Sequence, residues 1–257
     1  MILAIDIGNT SITMGCVDEK DNGILFEERL YTDRKKSAVE YAITFKTLFE
    51  LHGVNPVELD GGIISSSVPP VTAYVRNAAE RLLEKSILEV GPGVKTGVDI
   101  KIDDPAQLGP DLLVGAVAGI EQYGVPLILI DIGTASTISV ISDQKRFMGG
   151  VIMPGISVSL DGLCAKAAHL PAIALEKPRK LIGSSTVDSM QSGIIYGHAS
   201  CIDGMIERIW EDLGYKTAVV ATGGLATKVI PNCKNEIIVD DQLLIKGLMS
   251  IYRKNNK

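Results

Sequence analysis

Two short turns in the sequence combine a carboxylate, a glycine and polar side chains. The first is Asp6-Ile7-Gly8-Asn9-Thr10, and the second is Asp131-Ile132-Gly133-Thr134-Ala135. Glycine lets backbone N–H groups approach an anion closely, whereas an Asp repels phosphate and must act through a cation or an ordered water. The two turns therefore predict a site that binds phosphate groups together with a metal ion.

Polar residues next to the turns could hold phosphate oxygens through hydroxyl and amide groups. They are Asn9, Thr10, Ser11, Thr134, Ser136 and Thr137. A single Asp-x-Gly turn is also explained by ordinary turn formation, since Asp and Gly are common turn residues. Two copies at matched positions, each followed by hydroxyl residues, favour the functional interpretation.

The two turns belong to an internal repeat. Residues 3–14 and 128–139 align without gaps, so Asp6 matches Asp131, Gly8 matches Gly133, and Ser11 matches Ser136. In each copy an apolar strand leads into the Asp-Ile-Gly turn and a second strand follows. A third strand is predicted over 24–31 in one copy and 147–153 in the other.

Helical and strand patterns alternate through the rest of the chain and predict two α/β domains, 1–115 and 116–257. The predicted helices are 36–51, 70–85, 110–123 and 186–213, and the predicted strands are 61–66, 127–130 and 218–221. In the first helix, apolar residues recur near helical spacing and are expected to face the core: Val39, Ile43, Phe45, Leu48 and Phe49.

Composition fits a globular protein without nucleic-acid or membrane partners. Of 257 residues, 46% are hydrophobic and 22% charged, and the net charge of −6 disfavours anionic partners. The cysteines form no Cys-x-x-Cys pair, and the N-terminus lacks the pattern of a signal peptide. We therefore expect a cytoplasmic protein.

An ordered set of segments resembles the type III pantothenate kinase family, within the actin and sugar-kinase ATPase superfamily. Both Asp-Ile-Gly turns take part, together with Ser66-Ser67-Val68-Pro69-Pro70, Gly91-Pro92-Gly93, the glycine-proline run from Gly149 to Gly155, Ala168-His169-Leu170-Pro171, Met190-Gln191-Ser192-Gly193-Ile194 and Ala221-Thr222-Gly223-Gly224-Leu225-Ala226. Each segment alone is a weak signal, but they occur in order over nearly the whole chain.

The resemblance implies two duplicated ribonuclease H-like lobes with the nucleotide in the interlobe cleft. It implies ATP-dependent phosphorylation of pantothenate to 4'-phosphopantothenate, the first step of coenzyme A biosynthesis, by a homodimer. ATP with Mg²⁺ would be bound by Asp6, Gly8, Asn9, Thr10, Ser11, Thr13 and Thr134. Asp131 would hold the monovalent cation, K⁺ or NH₄⁺, that this family needs.

The resemblance also indicates an acceptor site. Its substrate-binding residues would be Gly109, Pro110, Asp111, Leu112 and Thr186. Asp111 would be the catalytic base, because the attacking alcohol must lose its proton. Asp111 and Thr186 both stand at predicted helix starts, where carboxylates and hydroxyls also serve to cap the helix.

Two residues depart from the family pattern on the acceptor side. The family's Arg after the catalytic Asp is Leu112 here, and a substrate-contacting Tyr upstream is Ile102. Leucine offers none of the donors of arginine. Three hypotheses stay open: a pantothenate kinase with an altered acceptor pocket, a kinase of another small alcohol, and a nucleotide-binding regulator. His169 and His198 have no motif partner and are interpreted as packing or surface residues.

Overall fold

The computed structural model describes residues 1–18 and 23–256. The strands are β1 (Ile2–Ile7), β2 (Ser11–Val17), β3 (Ile24–Tyr31), β4 (Gly61–Ser66), β5 (Ile87–Glu89), β6 (Asp99–Ile100), β7 (Leu127–Ile132), β8 (Ala135–Ile141), β9 (Arg146–Pro154), β10 (Ala218–Thr222) and β11 (Ile238–Val239). The helices are α1 (Ala38–Leu51), α2 (Pro69–Leu83), α3 (Pro110–Tyr123), α4 (Ile156–Lys166), α5 (Thr186–Leu213), α6 (Ala226–Val229) and α7 (Leu243–Asn255).

The chain packs into two compact units, each of which is built from non-contiguous parts of the sequence. The first unit contains residues 1–98, 103–118 and 243–257, and the second contains 99–102 and 119–242. The C-terminal helix α7 joins the first unit because its apolar residues, such as Ile245 and Leu248, pack against the sheet there. The domains 1–115 and 116–257 expected from the sequence stay a prediction, since packing units need not be independently folding domains.

The sheet of the first unit has the strand order β3-β2-β1-β4-β5. Strand β1 pairs antiparallel with β2 and parallel with β4. The sheet of the second unit repeats this order as β9-β8-β7-β10-β11, and β6 pairs with the outer edge of β9. The repeat predicted around the two Asp-Ile-Gly turns is thus confirmed, and it extends through the parallel strands.

The register of the repeat differs by one residue from the ungapped sequence alignment. In the first turn the Gly8 N–H donates to the Ser11 carbonyl, whereas in the second the Gly133 N–H donates to the Ala135 carbonyl. The second turn is one residue shorter, so Ser11 corresponds to Ala135. The match of Ser11 with Ser136 was wrong, because a pattern of small polar residues does not reveal turn length.

Both faces of the first sheet are covered by helices. Residues Leu3, Ile5 and Ile7 of β1 pack in the core that includes apolar residues of α1 and α2. The alternate residues Ile2 and Ala4 pack in a second core with residues of α3 and α7. Strand residues alternate between faces, so Asp6 belongs to the side covered by α3 and α7.

The second sheet packs against the long helix α5. Ile128, Ile130 and Ile132 of β7 share a buried core with α5 residues such as Ile195 and Ile202. The intervening residues of β7 therefore face the other side of the sheet, and this set includes Asp131.

The bounds of α3 and α5 agree with the sequence prediction, and the ends of α1 and α2 differ from it by at most two residues. On α1, however, Val39 and Ile43 are exposed, while Tyr41, Ala42 and Phe45 are buried. The spacing therefore predicted only part of the buried face. Phe45 and Phe49 are buried as expected, but Val39 and Ile43 are not, because apolar residues surround this helix. Helices α4, α6 and α7 were not predicted. Among the described residues, no helix combines the length and apolarity needed to cross a bilayer.

Candidate functional site

Asp6 lies in a polar row across the end of the first sheet. Its partner in β2 is Thr13 and its partner in β4 is Ser65. Paired residues lie side by side on one face of a sheet, so the three side chains form a row, and each is largely buried. The Ser65 hydroxyl makes no hydrogen bond to the part of the chain that the structure describes.

The second sheet repeats this polar row around Asp131. The partners of Asp131 are Thr137 in β8 and Thr222 in β10. Each unit thus places an Asp between a Thr on the antiparallel neighbour and a hydroxyl residue on the parallel neighbour. The sequence did not reveal this row, because its members are scattered along the chain and meet only through strand pairing.

The residues of the first turn differ in exposure. Asp6 is buried, whereas Asn9 and Thr10 are exposed at the tip of the turn. The segment after β3 packs onto this tip: the Thr32 hydroxyl donates to the Gly8 carbonyl at 2.6 Å, and Arg34 Nη2 donates to Asn9 Oδ1 at 3.0 Å. The sequence analysis did not identify Arg34, since it lies outside both motifs.

Two glycines pack directly against the second turn. At Gly223, where φ is +99°, a Cβ atom would overlap Asp131 Oδ1 and lie 2.6 Å from the backbone N and O of Ile132. At Gly155, a Cβ atom would overlap the carbonyl oxygens of Gly133 and Thr134. The glycine-proline run and the Ala221–Ala226 segment, which had no assigned role in the sequence, therefore shape this turn.

A buried serine links the second turn to α5. Ser136 is fully buried, and its Oγ lies 3.0 Å from Nε2 of His198 on α5. Burial lowers the pKa of His198 below its usual 6.5, because desolvation disfavours the charged ring. The interpretation of His198 as a packing or surface residue is thus incomplete, since it also holds a polar partner. In the first unit, apolar Ile12 takes the position of Ser136.

Asp111 lies in the first turn of α3, in the same unit as Asp6. Its Oδ1 folds back over Gly109 so closely that a Cβ atom at Gly109 would overlap it. Val114 and Val117 pack α3 onto the face of the first sheet that carries Asp6. Asp111 and Leu112 are both half-buried.

Thr186 lines a pocket in the second unit, at the start of α5. The pocket has a volume of about 850 Å³ and combines apolar walls with hydroxyl groups; it is lined by Leu163, Leu170, Gly183, Ser184, Ser185, Thr186, Ser189, Met190, Gly193 and Ile194. Ser185 caps the helix by accepting a hydrogen bond from the Asp188 N–H at 3.1 Å. Ser185, and not Thr186, therefore caps this helix.

Ile102 lies elsewhere in the second unit, beside Gly149 of β9. A Cβ atom at Gly149 would lie 3.8 Å from Ile102 Cγ2. The predicted residues are thus divided between the units: the ATP-binding residues 6–13 and the segment 109–112 belong to the first, and Ile102, Asp131, Thr134 and Thr186 belong to the second.

The oxygen-rich turns suit a phosphate group with a hard cation better than a transition metal. Over residues 1–18 and 23–256, no group of three or more His, Cys, Asp or Glu side chains is arranged to hold a metal. Mg²⁺ usually takes only one or two carboxylates and completes its shell with water and substrate phosphates. The buried Ser65 hydroxyl beside Asp6 supplies a polar group that a bound water could satisfy.

Solved structures share this fold over almost the full chain. Component A of (R)-2-hydroxyglutaryl-CoA dehydratase from Acidaminococcus fermentans has a TM-score of 0.59 at 15% identity, covering 100% of this chain and 99% of that one. A putative 2-dehydro-3-deoxygalactonokinase from Sinorhizobium meliloti has a TM-score of 0.58 at 14% identity, covering 99% and 96%. The predicted class, a duplicated ribonuclease H-like fold of actin-like ATPases, is thereby confirmed.

Sequence comparison narrows this class to one family. The profile described as type III pantothenate kinase matches residues 2–208. A type III pantothenate kinase of Halalkalibacterium halodurans is 41% identical over 255 residues, which cover 99% of this chain and 100% of the relative. The chain belongs to the type III pantothenate kinase family.

Proposed function

We propose that this chain transfers the γ-phosphoryl group of ATP to pantothenate and forms 4'-phosphopantothenate, the first step of coenzyme A biosynthesis. Its membership in the type III pantothenate kinase family, shown over nearly the whole chain, carries the proposal. The two Asp-centred polar rows and the half-buried Asp111 supply the groups that such a phosphotransferase needs.

We assign ATP binding to the first turn and the strand after it, with a further contact from Thr134. The assigned residues are Asp6, Gly8, Asn9, Thr10, Ser11, Thr13 and Thr134. The exposed amide of Asn9 and hydroxyl of Thr10 are suited to phosphate oxygens, while the buried Asp6 can act through Mg²⁺-bound water. When bound, Mg²⁺ neutralises charge on the transferring phosphoryl group.

We assign a monovalent cation, K⁺ or NH₄⁺, to Asp131. Support comes from the hydroxyl residues Thr137 and Thr222, which flank this carboxylate in the sheet. Such a cation would offset the repulsion between Asp131 and a polyphosphate.

Asp111 is assigned as the base that accepts the proton of the attacking hydroxyl. Kinases commonly use an Asp for this step, and most of their rate enhancement comes from positioning and charge neutralisation. The position of Asp111 at the start of α3 also stabilises its negative charge through the helix dipole. An ionised Asp111 can therefore both stabilise the start of the helix and accept the proton of the attacking hydroxyl.

The acceptor is assigned to the segment Gly109, Pro110, Asp111 and Leu112 together with Thr186. Thr186 contributes a hydroxyl to a pocket that also has apolar walls, as an acceptor with both polar and aliphatic parts requires. Leu112 and Ile102 make the acceptor contacts less polar than in the family pattern. If so, the double variant Leu112→Arg, Ile102→Tyr should lower the KM for pantothenate.

The two other hypotheses, a kinase of a different small alcohol and a non-catalytic nucleotide-binding regulator, are not favoured. Both hypotheses depended on Leu112 and Ile102, whereas the match to a pantothenate kinase over the full length of both chains favours the original reaction. Asp111 is retained as well, and a regulator would have no need of a base.

We further propose that the protein acts as a cytoplasmic homodimer. Exposed apolar residues next to Thr186 support a surface that a second copy would cover: Leu181, Ile182 and Val187 are 67%, 82% and 42% exposed. Sedimentation of wild type and Ile182→Asp would test this, since a charge on a covered surface should favour the monomer.

The decisive assay measures ADP release in the presence of ATP, Mg²⁺ and K⁺, with and without pantothenate. Stimulation by pantothenate is expected, and its loss when Na⁺ replaces K⁺ would support the cation assignment. ATP binding without stimulation would refute the proposed acceptor, and a panel of other small alcohols would then separate a different kinase from a regulator.

A further inference from the structure

The segment that joins β3 to α1 is fixed against the first Asp-Ile-Gly turn by backbone and side-chain hydrogen bonds. The Thr32 N–H donates to the Thr10 carbonyl at 3.0 Å, and the Thr32 hydroxyl donates to the Gly8 carbonyl at 2.6 Å. These bonds hold Thr32 against the turn, and Arg34 follows two residues later in the chain.

The far side of this segment is also anchored. The Tyr41 hydroxyl donates to the Asp33 carbonyl at 2.7 Å. Ser37 and Glu40 form a capping box that starts α1, which fixes the direction in which the chain leaves the segment. The backbone around Arg34 is therefore held on both sides, so Arg34 does not extend from a free loop.

Arg34 is directed to the tip of the turn by a specific contact. Its Nη2 donates to Asn9 Oδ1 at 3.0 Å, although the side chain is exposed. Guanidinium carries five N–H donors in a rigid plane, and a neutral amide oxygen engages only one or two of them. Asn9 is its hydrogen-bond partner among the described residues, which leaves donors available to a ligand.

The local charges favour an anionic ligand at this position. Arg34 is followed by Lys35 and Lys36. The nearby Asp33 directs Oδ1 to the Lys35 N–H at 2.9 Å. An arginine beside Gly-Asn-Thr backbone and amide groups can form two parallel hydrogen bonds to phosphate, which lysine cannot reproduce.

We propose that Arg34 binds a phosphate group of the nucleotide, a role that neither motif assigns to it. This inference rests on the proposed ATP site at the first turn and adds a cation to a site otherwise formed by an Asp, amides and hydroxyls. Asn9 then has two roles, because it contacts the phosphate and orients the guanidinium.

Arg34→Gln tests the charge separately from the local hydrogen bond. Glutamine has an amide N–H₂ group that can still donate to Asn9, but it carries no positive charge. Arg81→Gln on α2 is the matched control, since it makes the same substitution at another exposed arginine of the first unit. The affinities of both variants for ATP, ADP and adenosine would be measured by calorimetry.

Loss of a charge-assisted phosphate contact should weaken ATP binding by about ten- to hundredfold. Adenosine should bind Arg34→Gln as it binds wild type, and Arg81→Gln should bind all three ligands normally. Unchanged ATP affinity in Arg34→Gln would overturn the inference, as would an equal loss for adenosine, which would indicate a merely structural role. Failure of wild type itself to bind ATP would overturn the proposed function and this inference with it.

Discussion

Gly223 offers a quantitative test of how the second turn is built. Replacing it with alanine forces a side chain onto a residue with φ of +99°, which costs on the order of 1–3 kcal/mol. The new Cβ would also lie 2.6 Å from Ile132 N and O, and relieving such overlap costs about 1–3 kcal/mol. We expect Gly223→Ala to lower the free energy of unfolding by about 2–6 kcal/mol.

Urea denaturation followed by tryptophan fluorescence is the appropriate assay. The chain has a single tryptophan, and Trp210 lies on α5 in the same unit as Gly223. Gly197→Ala is the control, because a Cβ atom at that helical position meets no atom within 4 Å. Alanine should stabilise the helix there by about 0.5–1 kcal/mol.

Gly223→Ala should impair activity as well as stability. The added methyl group would displace the Asp131 carboxylate, so any folded Gly223→Ala protein should need more K⁺ for half-maximal activity. If Gly223→Ala were as stable as wild type and needed no additional K⁺, the packing argument for this turn would be refuted.

Three further predictions follow from individual contacts. Asp111→Asn should lower kcat by about 10²–10⁴-fold if Asp111 is the base, with a thermal midpoint near that of wild type; an unchanged kcat would leave it only a capping role. Burial lowers the pKa of His198 in the folded protein below its usual 6.5. As the pH falls, this histidine is therefore protonated in the unfolded chain before it is protonated in the folded chain. The stability that neutral His198 contributes is complete above about pH 6.5 and declines below it. Unfolding measured between about pH 7.5 and 5.5 should therefore show a smaller decline for His198→Gln than for wild type, and an identical decline would contradict the assignment. Tyr123 donates to the buried Asp240 at 2.9 Å, and its pKa is raised to about 12 by burial and by Asp240; Tyr123→Phe should cost about 1.5–3 kcal/mol of unfolding free energy, whereas a cost near zero would show that the hydroxyl contributes little.

Sequence patterns predicted the repeat and the major helices because apolar periodicity and glycine turns are local signals. The limits of helices α3 and α5 followed from Pro110 and from the glycines after each helix. The one-residue difference in turn length did not follow, because it depends on which carbonyl accepts the glycine N–H. Nor did the return of α7 to the first unit, since the packing of a terminal helix depends on distant residues.

The candidate site was predictable where it rests on contiguous motifs. Asp6, Asp131 and Asp111 stand in recognisable segments, and their roles stay predictions. Ser65 and Arg34 were missed, and Thr222 stood in a quoted segment without a role, because strand pairing and a loop contact bring these residues to the turns from elsewhere in the chain.

The central claim is that this chain phosphorylates pantothenate. The most direct measurement is mass spectrometry of the products after incubation with ATP, Mg²⁺, K⁺ and pantothenate. Wild type should form 4'-phosphopantothenate and ADP in equal amounts. Asp111→Asn should form 4'-phosphopantothenate at a rate reduced by at least about 100-fold. ADP formation without phosphorylated pantothenate, or no reaction by a protein that binds ATP, would contradict the claim.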